Sequence, residues 1–430
     1  MHSIEYIIAE VFSLKKILIN GRNRLSGSVR VQGAKNAVLP ILSATILTDG
    51  KCVIKNCPDL SDVHNTIEIL RYLGHNVSFS ENTAEIKHTN PSNYEIPDRM
   101  MQKMRSSILF LGALLNKYGY AKVTLPGGCE LGARPIDLHL KAFEKLGVTI
   151  NEHCGYYECI ANEITGDDVY LDFPSVGATE NTMILACTCK GTTVIHNAAK
   201  EPEIVDLQNF LNAAGAKISG AGTDTIYIHG VSKLRGTEFS VMPDRIVTAT
   251  YLISAAITGG DVTVTDVCID DMLAVISVLK RCGYSFSFGD NSITINGNSK
   301  VNAVDLIRTM PYPGFPTDVQ SIITPLLSVA EGTSIISENL FDSRFKHIYE
   351  LNRMGADISV IERNAVIRGV SDLYGANVTA TDLRGAAGLI VAGLCAKNKT
   401  VVDGIEYLDR GYENFIENLN DLGADIIYVS

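Results

Sequence analysis

The sequence predicts an α/β protein assembled from six copies of one unit, with apolar helices inside and sheet outside. Three observations lead there. A helical stretch closing in apolar-x-x-apolar-Gly and followed at once by a strand-like run recurs at residues 70–74, 143–147, 211–215, 279–283, 351–355 and 419–423, and its glycines stand 73, 68, 68, 72 and 68 residues apart. So regular a period marks one supersecondary unit repeated. A second set of stretches, 37–47, 106–115, 181–189, 246–257, 319–330 and 386–396, is apolar on every face, which a helix tolerates only when it is enclosed. Short runs such as 224–229 and 292–296 alternate apolar and polar residues in the manner of half-buried strands.

Within each copy the elements follow in a fixed order. A turn glycine opens a strand at residues 50–54, 119–125, 191–195, 260–264 and 332–336, with Asn398 in its place in the last copy. The helix that closes on the repeated glycine comes next, and that glycine suits a left-handed helix end because it has no Cβ to clash. The enclosed helix stands upstream of both. Just before or at its start the six copies place Lys35-Asn36, Arg105, Thr179-Glu180-Asn181, Asp244-Arg245, Asp318 and Asp382-Leu383-Arg384. Asp and Asn there can cap the first turn. A cation instead opposes the helix dipole, at a cost of up to about 1 kcal/mol. Lys35, Arg105, Arg245 and Arg384 in register therefore call for a compensating anion, as a phosphate or carboxylate site would supply. The chain carries 37 Lys and Arg against 48 Asp and Glu, a net charge of −11; no basic footprint for nucleic acid is present.

One loop stands apart: Leu125-Pro126-Gly127-Gly128-Cys129-Glu130-Leu131-Gly132-Ala133-Arg134-Pro135. Glycines and prolines frame a cysteine near an arginine whose charge favours the reactive thiolate, and the glycines give the loop the hinges of a lid.

These motifs carry a resemblance. Gly33-Ala34-Lys35-Asn36-Ala37, the Cys129 loop running on to Ile136-Asp137-Leu138-His139, and Ser175-Val176-Gly177-Ala178-Thr179-Glu180-Asn181 closely resemble the UDP-N-acetylglucosamine enolpyruvyl transferase (1-carboxyvinyltransferase) family. Lys200-Glu201-Pro202-Glu203, Pro243-Asp244-Arg245, Phe315-Pro316-Thr317-Asp318, Thr381-Asp382-Leu383-Arg384 and Asp409-Arg410-Gly411-Tyr412-Glu413 continue it to the C-terminal end. The resemblance implies a two-domain inside-out α/β barrel with three units per domain. Residues 17–34 plus 243–430 would form one domain, residues 35–242 the other with the Cys129 loop, and residues 1–16 an extension; the active site would lie in the interdomain cleft.

It also implies a reaction. The enolpyruvyl group of phosphoenolpyruvate passes to the 3′-hydroxyl of UDP-N-acetylglucosamine with release of phosphate, in the first committed step of peptidoglycan synthesis. By the same resemblance, Cys129 is the acid that protonates the enol carbon, the point of covalent addition and the target of fosfomycin. Asp318 is the base at, or the group orienting, the sugar hydroxyl. Lys35, Asn36, Cys129, Arg134, Arg344, Arg384 and Arg410 would hold phosphoenolpyruvate, with Lys35 and Arg410 also counted in the chemistry. Asn36, Arg105, Arg134, Pro135, Ile136, Asp137, Leu138, Phe173, Pro174, Ser175, Val176, Gly177, Asp318 and Leu340 would hold the UDP-sugar. An enolpyruvyl transferase for a related acceptor, and a non-catalytic UDP-sugar-binding paralogue, are the alternatives.

Other features read plainly. There are ten cysteines and no Cys-x-x-Cys; Cys187, Cys189, Cys268, Cys282 and Cys395 fall on apolar stretches and read as reduced core residues of a cytoplasmic protein. No metal or cofactor is implied. No apolar run reaches the ~18 residues of a membrane span. His139 is placed either near the UDP region or in surface packing.

Overall fold

The computed structural model describes residues 16–88, 93, 95–124, 136–297 and 300–429. Cys129, Arg134 and Pro135 lie outside the described residues. The chain divides into two compact units. One comprises the described chain before Gln32 together with Ile246–Thr309 and Phe315–Ser430; the other comprises Gln32–Arg245 and the short excursion Met310–Gly314.

The first unit holds three four-stranded sheets. In each, a parallel strand flanks an antiparallel trio, as in Asn377–Thr379, Lys399–Asp403, Lys16–Asn20 and Asp425–Val429. The other two run Ser26–Arg30, Asp261–Thr265, Ser292–Asn296, Ser285–Phe288 and Ile307–Arg308, Thr333–Ser337, Asn364–Arg368, Asp357–Ile361. The second unit repeats this order in Glu238–Ser240, Lys51–Lys55, Thr83–Lys87, Asn76–Ser80 and in Asp168–Tyr170, Thr192–His196, Thr225–His229, Lys217–Ser219. Its third sheet shows the trio alone, Tyr120–Thr124, Tyr156–Ile160 and Thr149–His153. Many of these strands alternate buried and partly exposed residues, Lys16–Asn20 in strict order, so the sheets have one wet face.

The helices behave differently. In Arg245–Ile257 every residue after the first is buried, and in Leu383–Cys395 everything from Arg384 to Leu394. Thr317–Ser328, Lys35–Ala44, Val176–Ala186 and Leu109–Tyr118 are buried along most of their length. Hydroxyls enclosed with them bond back one turn: Thr182 to the Ala178 carbonyl, Thr250 to Ile246, Thr324 to Gln320 and Ser328 to Thr324, at 2.7–2.9 Å. That satisfies a group that would otherwise cost about 1–3 kcal/mol.

The repeated glycines do what the pattern requires. Gly74, Gly147, Gly215, Gly283, Gly355 and Gly423 all have φ between +91° and +105°, a region a side chain rarely enters. Asn398, standing in for a turn glycine, has φ +67°; in the fourth copy Gly259 rather than Gly260 takes the positive angle. Helix starts shift from expectation by one to five residues, most in the third copy. Val176–Ala186 begins after Ser175, whose hydroxyl accepts the Ala178 N–H, so Thr179, Glu180 and Asn181 lie inside the helix and not before it.

Candidate functional site

Each unit gathers its own set of charged residues at helix starts. In the second unit, Lys35 is the first residue of Lys35–Ala44. Its backbone N–H donates to Asp244 Oδ2 at 3.1 Å, and its ammonium lies 2.6 Å from Asp62 Oδ2, with both side chains nearly buried. Asn36, the next residue, is exposed. Arg245 opens Arg245–Ile257 and places its fork on Glu203 at 3.0 and 3.3 Å. The Tyr312 ring lies 5.7 Å from its guanidinium carbon, and the Tyr312 N–H donates to Glu201 at 3.3 Å. Beside these, Glu180 is buried with Oε1 unpartnered among the described residues. Burial first, then the charges of Glu203 and Glu201, holds its carboxyl well above the usual range.

A second cluster in this unit forms around His139. Asp137–Lys145 starts after Ile136, and its His139 ring places Nδ1 3.0 Å from the Asn181 amide nitrogen. Asn181 also donates to the Ile108 carbonyl at 2.9 Å and accepts the Gly112 N–H at 2.9 Å. Gly177 sits on the same ring, where an added Cβ would meet Cε1 at 3.3 Å. His139 is thus buried, not a surface residue. Burial and then Arg105 lower its pKa to about 3, so the ring is neutral. Arg105 begins the short 3-10 turn Arg105–Ile108. The segments carrying Ile136, Asp137 and Leu138, and Ser175, Val176 and Gly177, therefore meet through His139 near Arg105; Phe173 before them is exposed and Pro174 half-buried.

In the first unit the centre is Asp318, second residue of Thr317–Ser328. The position of the N-cap belongs to Pro316, so the simple capping reading of Asp318 fails. Its carboxylate binds two guanidinium groups: Arg344 Nη2 at 2.6 Å from Oδ1, and Arg384 Nε and Nη2 at 3.3 and 3.1 Å from Oδ2. Both arginines are nearly buried, while Asp318 keeps a quarter of its side chain exposed. Aromatic rings lie beneath the cations, Phe341 at 5.6 Å from Arg344 and Tyr412 at 5.3 Å from Arg384, contacts that favour a fixed planar cation. Asp382 caps Leu383–Cys395, accepting the Arg384 and Gly385 N–H groups at 3.1 and 3.0 Å. Arg410 ends the 3-10 turn Ile405–Arg410, which packs on that helix. Leu340 is half-buried in the loop before Arg344.

The anion that each helix-start cation calls for is thus supplied, for three of them, by the protein: Asp62 for Lys35, Glu203 for Arg245 and Asp318 for Arg384. The sequence reading missed Asp62 and Glu203. Both sit in a helix first turn, where acids are common for the dipole's sake, so nothing in linear order marks them as counter-ions. Cysteine burial differs in one place from expectation: Cys187, Cys189 and Cys282 are buried and Cys395 half-buried, but Cys268 is exposed. Among the described residues no group of three His, Cys, Asp or Glu could hold a metal ion, and no helix is long and apolar enough to cross a membrane.

Comparison with known proteins agrees along nearly the whole chain. Residues 19–419 match the family model described as EPSP synthase (3-phosphoshikimate 1-carboxyvinyltransferase). UDP-N-acetylglucosamine 1-carboxyvinyltransferase 2 of Caldanaerobacter subterraneus subsp. tengcongensis is 53% identical, over 96% of this chain and 99% of that one. UDP-N-acetylglucosamine 1-carboxyvinyltransferase 1 of Carboxydothermus hydrogenoformans is 48% identical, over 96% and 98%. Among solved structures, the enolpyruvyl transferase NikO from Streptomyces tendae superposes with a TM-score of 0.87 at 25% identity, covering 96% of this chain and 99% of its own. An EPSP synthase from Acinetobacter baumannii shares the fold, with a TM-score of 0.76 at 20% identity over 97% and 100% of the two chains.

Proposed function

The chain belongs to the 1-carboxyvinyl (enolpyruvyl) transferase family, and from that premise we propose that it transfers the enolpyruvyl group of phosphoenolpyruvate to the 3′-hydroxyl of UDP-N-acetylglucosamine, releasing phosphate. The relatives at 53% and 48% identity carry this acceptor in their names. The enzyme is a transferase of peptidoglycan synthesis, and on this reading it works in the cytoplasm, where a nucleotide-sugar acceptor and phosphoenolpyruvate are expected together. Among the described residues, its six sheets of three or four strands and six enclosed helices are read as six copies of one unit, three to each compact unit, forming inside-out barrels.

The observation that carries the reading is the Asp318–Arg344–Arg384 group. The reaction needs a carboxylate at a sugar hydroxyl and cations for an anionic donor, and this group holds both within one hydrogen bond. Asp318 keeps about a quarter of its side chain exposed, so it can meet the 3′-hydroxyl and take its proton while the guanidinium groups keep it aimed. Cys129 then delivers a proton to C3 of phosphoenolpyruvate as the hydroxyl oxygen attacks C2. The tetrahedral adduct then returns a C3 proton to the Cys129 thiolate and expels phosphate, which leaves with the proton that Asp318 took from the hydroxyl, and the enol ether stays on the sugar. Lys35, Asn36, Arg134, Arg344, Arg384 and Arg410 hold the donor's phosphate and carboxylate. Arg105, Arg134, Pro135, Ile136, Asp137, Leu138, Phe173, Pro174, Ser175, Val176, Gly177 and Leu340 hold the nucleotide sugar, the N–H groups at the start of Val176–Ala186 offering an anion cradle.

Phosphate release with phosphoenolpyruvate and, in turn, UDP-N-acetylglucosamine, UDP or shikimate 3-phosphate tests this. Release only with the first acceptor is expected; release with shikimate 3-phosphate, or with none, refutes it.

A further inference from the structure

Glu338 follows the strand Thr333–Ser337 and is 1% exposed. A carboxylate so enclosed must be fully bonded, and this one accepts four hydrogen bonds. Thr309 Oγ1 and Thr317 Oγ1 donate at 2.9 Å each, to Oε1 and Oε2, and the backbone N–H groups of Leu340 and Phe341 donate to Oε1 at 2.9 and 3.2 Å. A second layer reinforces it: Asn339 N–H donates to Thr309 Oγ1 at 2.9 Å, and the Asn339 amide to the Thr309 carbonyl at 3.1 Å.

The four donors come from three places. Thr317 is the residue before Asp318 and opens its helix; Leu340 and Phe341 lie in the loop that carries Arg344; Thr309 lies at the near end of the Met310–Gly314 excursion, whose two flanks are bridged through Thr309 and Phe315. Two contacts continue from the hub into the site. Arg344 Nη2 reaches the Thr317 carbonyl at 3.5 Å as well as Asp318, and Phe341 lies under the Arg344 guanidinium.

Resting on the function proposed above, we infer that Glu338 is a positioning residue: its carboxylate sets the register between the helix start bearing Asp318 and the loop bearing Arg344, and so holds the base and its arginine in productive geometry. Side chains that act on a reacting atom must be held by fixed neighbours, and a misplacement of about 1 Å can cost 10²-fold in rate. Glu338 does this without touching Asp318.

The test uses the full chain with Thr317→Val, Thr317→Ser and Glu338→Gln. Thr317→Val keeps shape and removes one hydroxyl from the hub. It should lower kcat about 10- to 100-fold while KM for the sugar nucleotide moves less than about threefold. Thr317→Ser, which restores the hydroxyl, should recover most of that loss. Glu338→Gln should speed hydrogen exchange at the Leu340 and Phe341 amides, and Glu338→Gln with Thr317→Val should lose no more kcat than the worse single change, because both cut the same link. Equal kcat in Thr317→Val and wild type, a loss that Thr317→Ser fails to recover, or unchanged exchange in Glu338→Gln overturns the inference. Wild-type turnover in the same assay separates the two readings: if it is absent, the function falls, and the exchange measurement still decides whether Glu338 holds the loop.

Discussion

Replacing Gly388 by alanine tests whether the enclosed helices set the site. Gly388 lies one turn beyond Arg384 on Leu383–Cys395, and faces Ser321, one turn beyond Asp318 on Thr317–Ser328. A Cβ built at Gly388 would fall 2.4 Å from the Ser321 carbonyl oxygen and 3.1 Å from its carbon, whereas ordinary contact begins near 3.4 Å. The obstacle is backbone, so the helices must part by about 1 Å. Overpacking of this kind costs about 1–3 kcal/mol. In a compact unit of ~200 residues each kcal/mol lowers Tm by about 2–4 °C, so calorimetry should find the transition of the affected unit lower by about 2–12 °C. The same separation acts directly on the Asp318–Arg384 pair one turn away, and should cut turnover by up to about 10²-fold at saturating substrates. An unchanged Tm with unchanged turnover would show that the helices give way elsewhere and that the ion pair is not set by their approach.

Three further outcomes follow. Asp318→Asn keeps size but removes the carboxylate, so kcat should fall about 10²–10⁴-fold with sugar-nucleotide binding by calorimetry nearly retained; near-normal kcat would remove Asp318 from the chemistry. Fosfomycin should label the chain once, at Cys129, as peptide mass spectrometry reads it. Burial pushes Cys159, Cys282 and Cys395 up to about 12 and Cys187 higher, so these thiols do not compete, and modification at another cysteine refutes the assignment. His139 is held below its unfolded pKa of 6.5, at about 3, so the unfolded chain takes up the proton first. Its contribution is full above pH 6.5 and is lost as pH falls toward 3, by about 1.4 kcal/mol per pH unit. Glu180 and Glu201, held above their ordinary values, act in the opposite sense. Denaturant melts of His139→Gln should therefore show a flatter acid limb, and an unchanged limb refutes a buried neutral ring.

What the chain disclosed in advance was whatever depends on local chemistry. The six helix-ending glycines and Asn398 have the left-handed angles their places require, because that need is settled within a few residues. The enclosed helices were legible for a similar reason, since a segment apolar on every face has nowhere else to go. Pairings distant in sequence were not. Nothing links residue 35 to Asp62, or 245 to Glu203, until the fold brings them within 3.0 Å. Glu338 carries no mark in the linear sequence, because a carboxylate's burial is visible only through its partners, and two of those are backbone N–H groups. Ser175 caps its helix across Gly177, and that glycine hid the true start. The site's cations were found by position, whereas their counter-ions needed the tertiary structure.

The strand Lys16–Asn20 lies between Lys399–Asp403 and Asp425–Val429, antiparallel to both. A ribosome adding 5–20 residues per second makes the second of those partners roughly 20–80 s after the first strand has emerged. Gln32–Arg245 is by then long complete and nearly contiguous, so its sheets can close while Ile17 and Ile19, fully buried in the finished protein, still face water. During synthesis that early strand is an open edge seeking a partner. Its correct neighbours arrive hundreds of residues later, which makes the nascent chain, more than the finished enzyme, the form most exposed to mispairing.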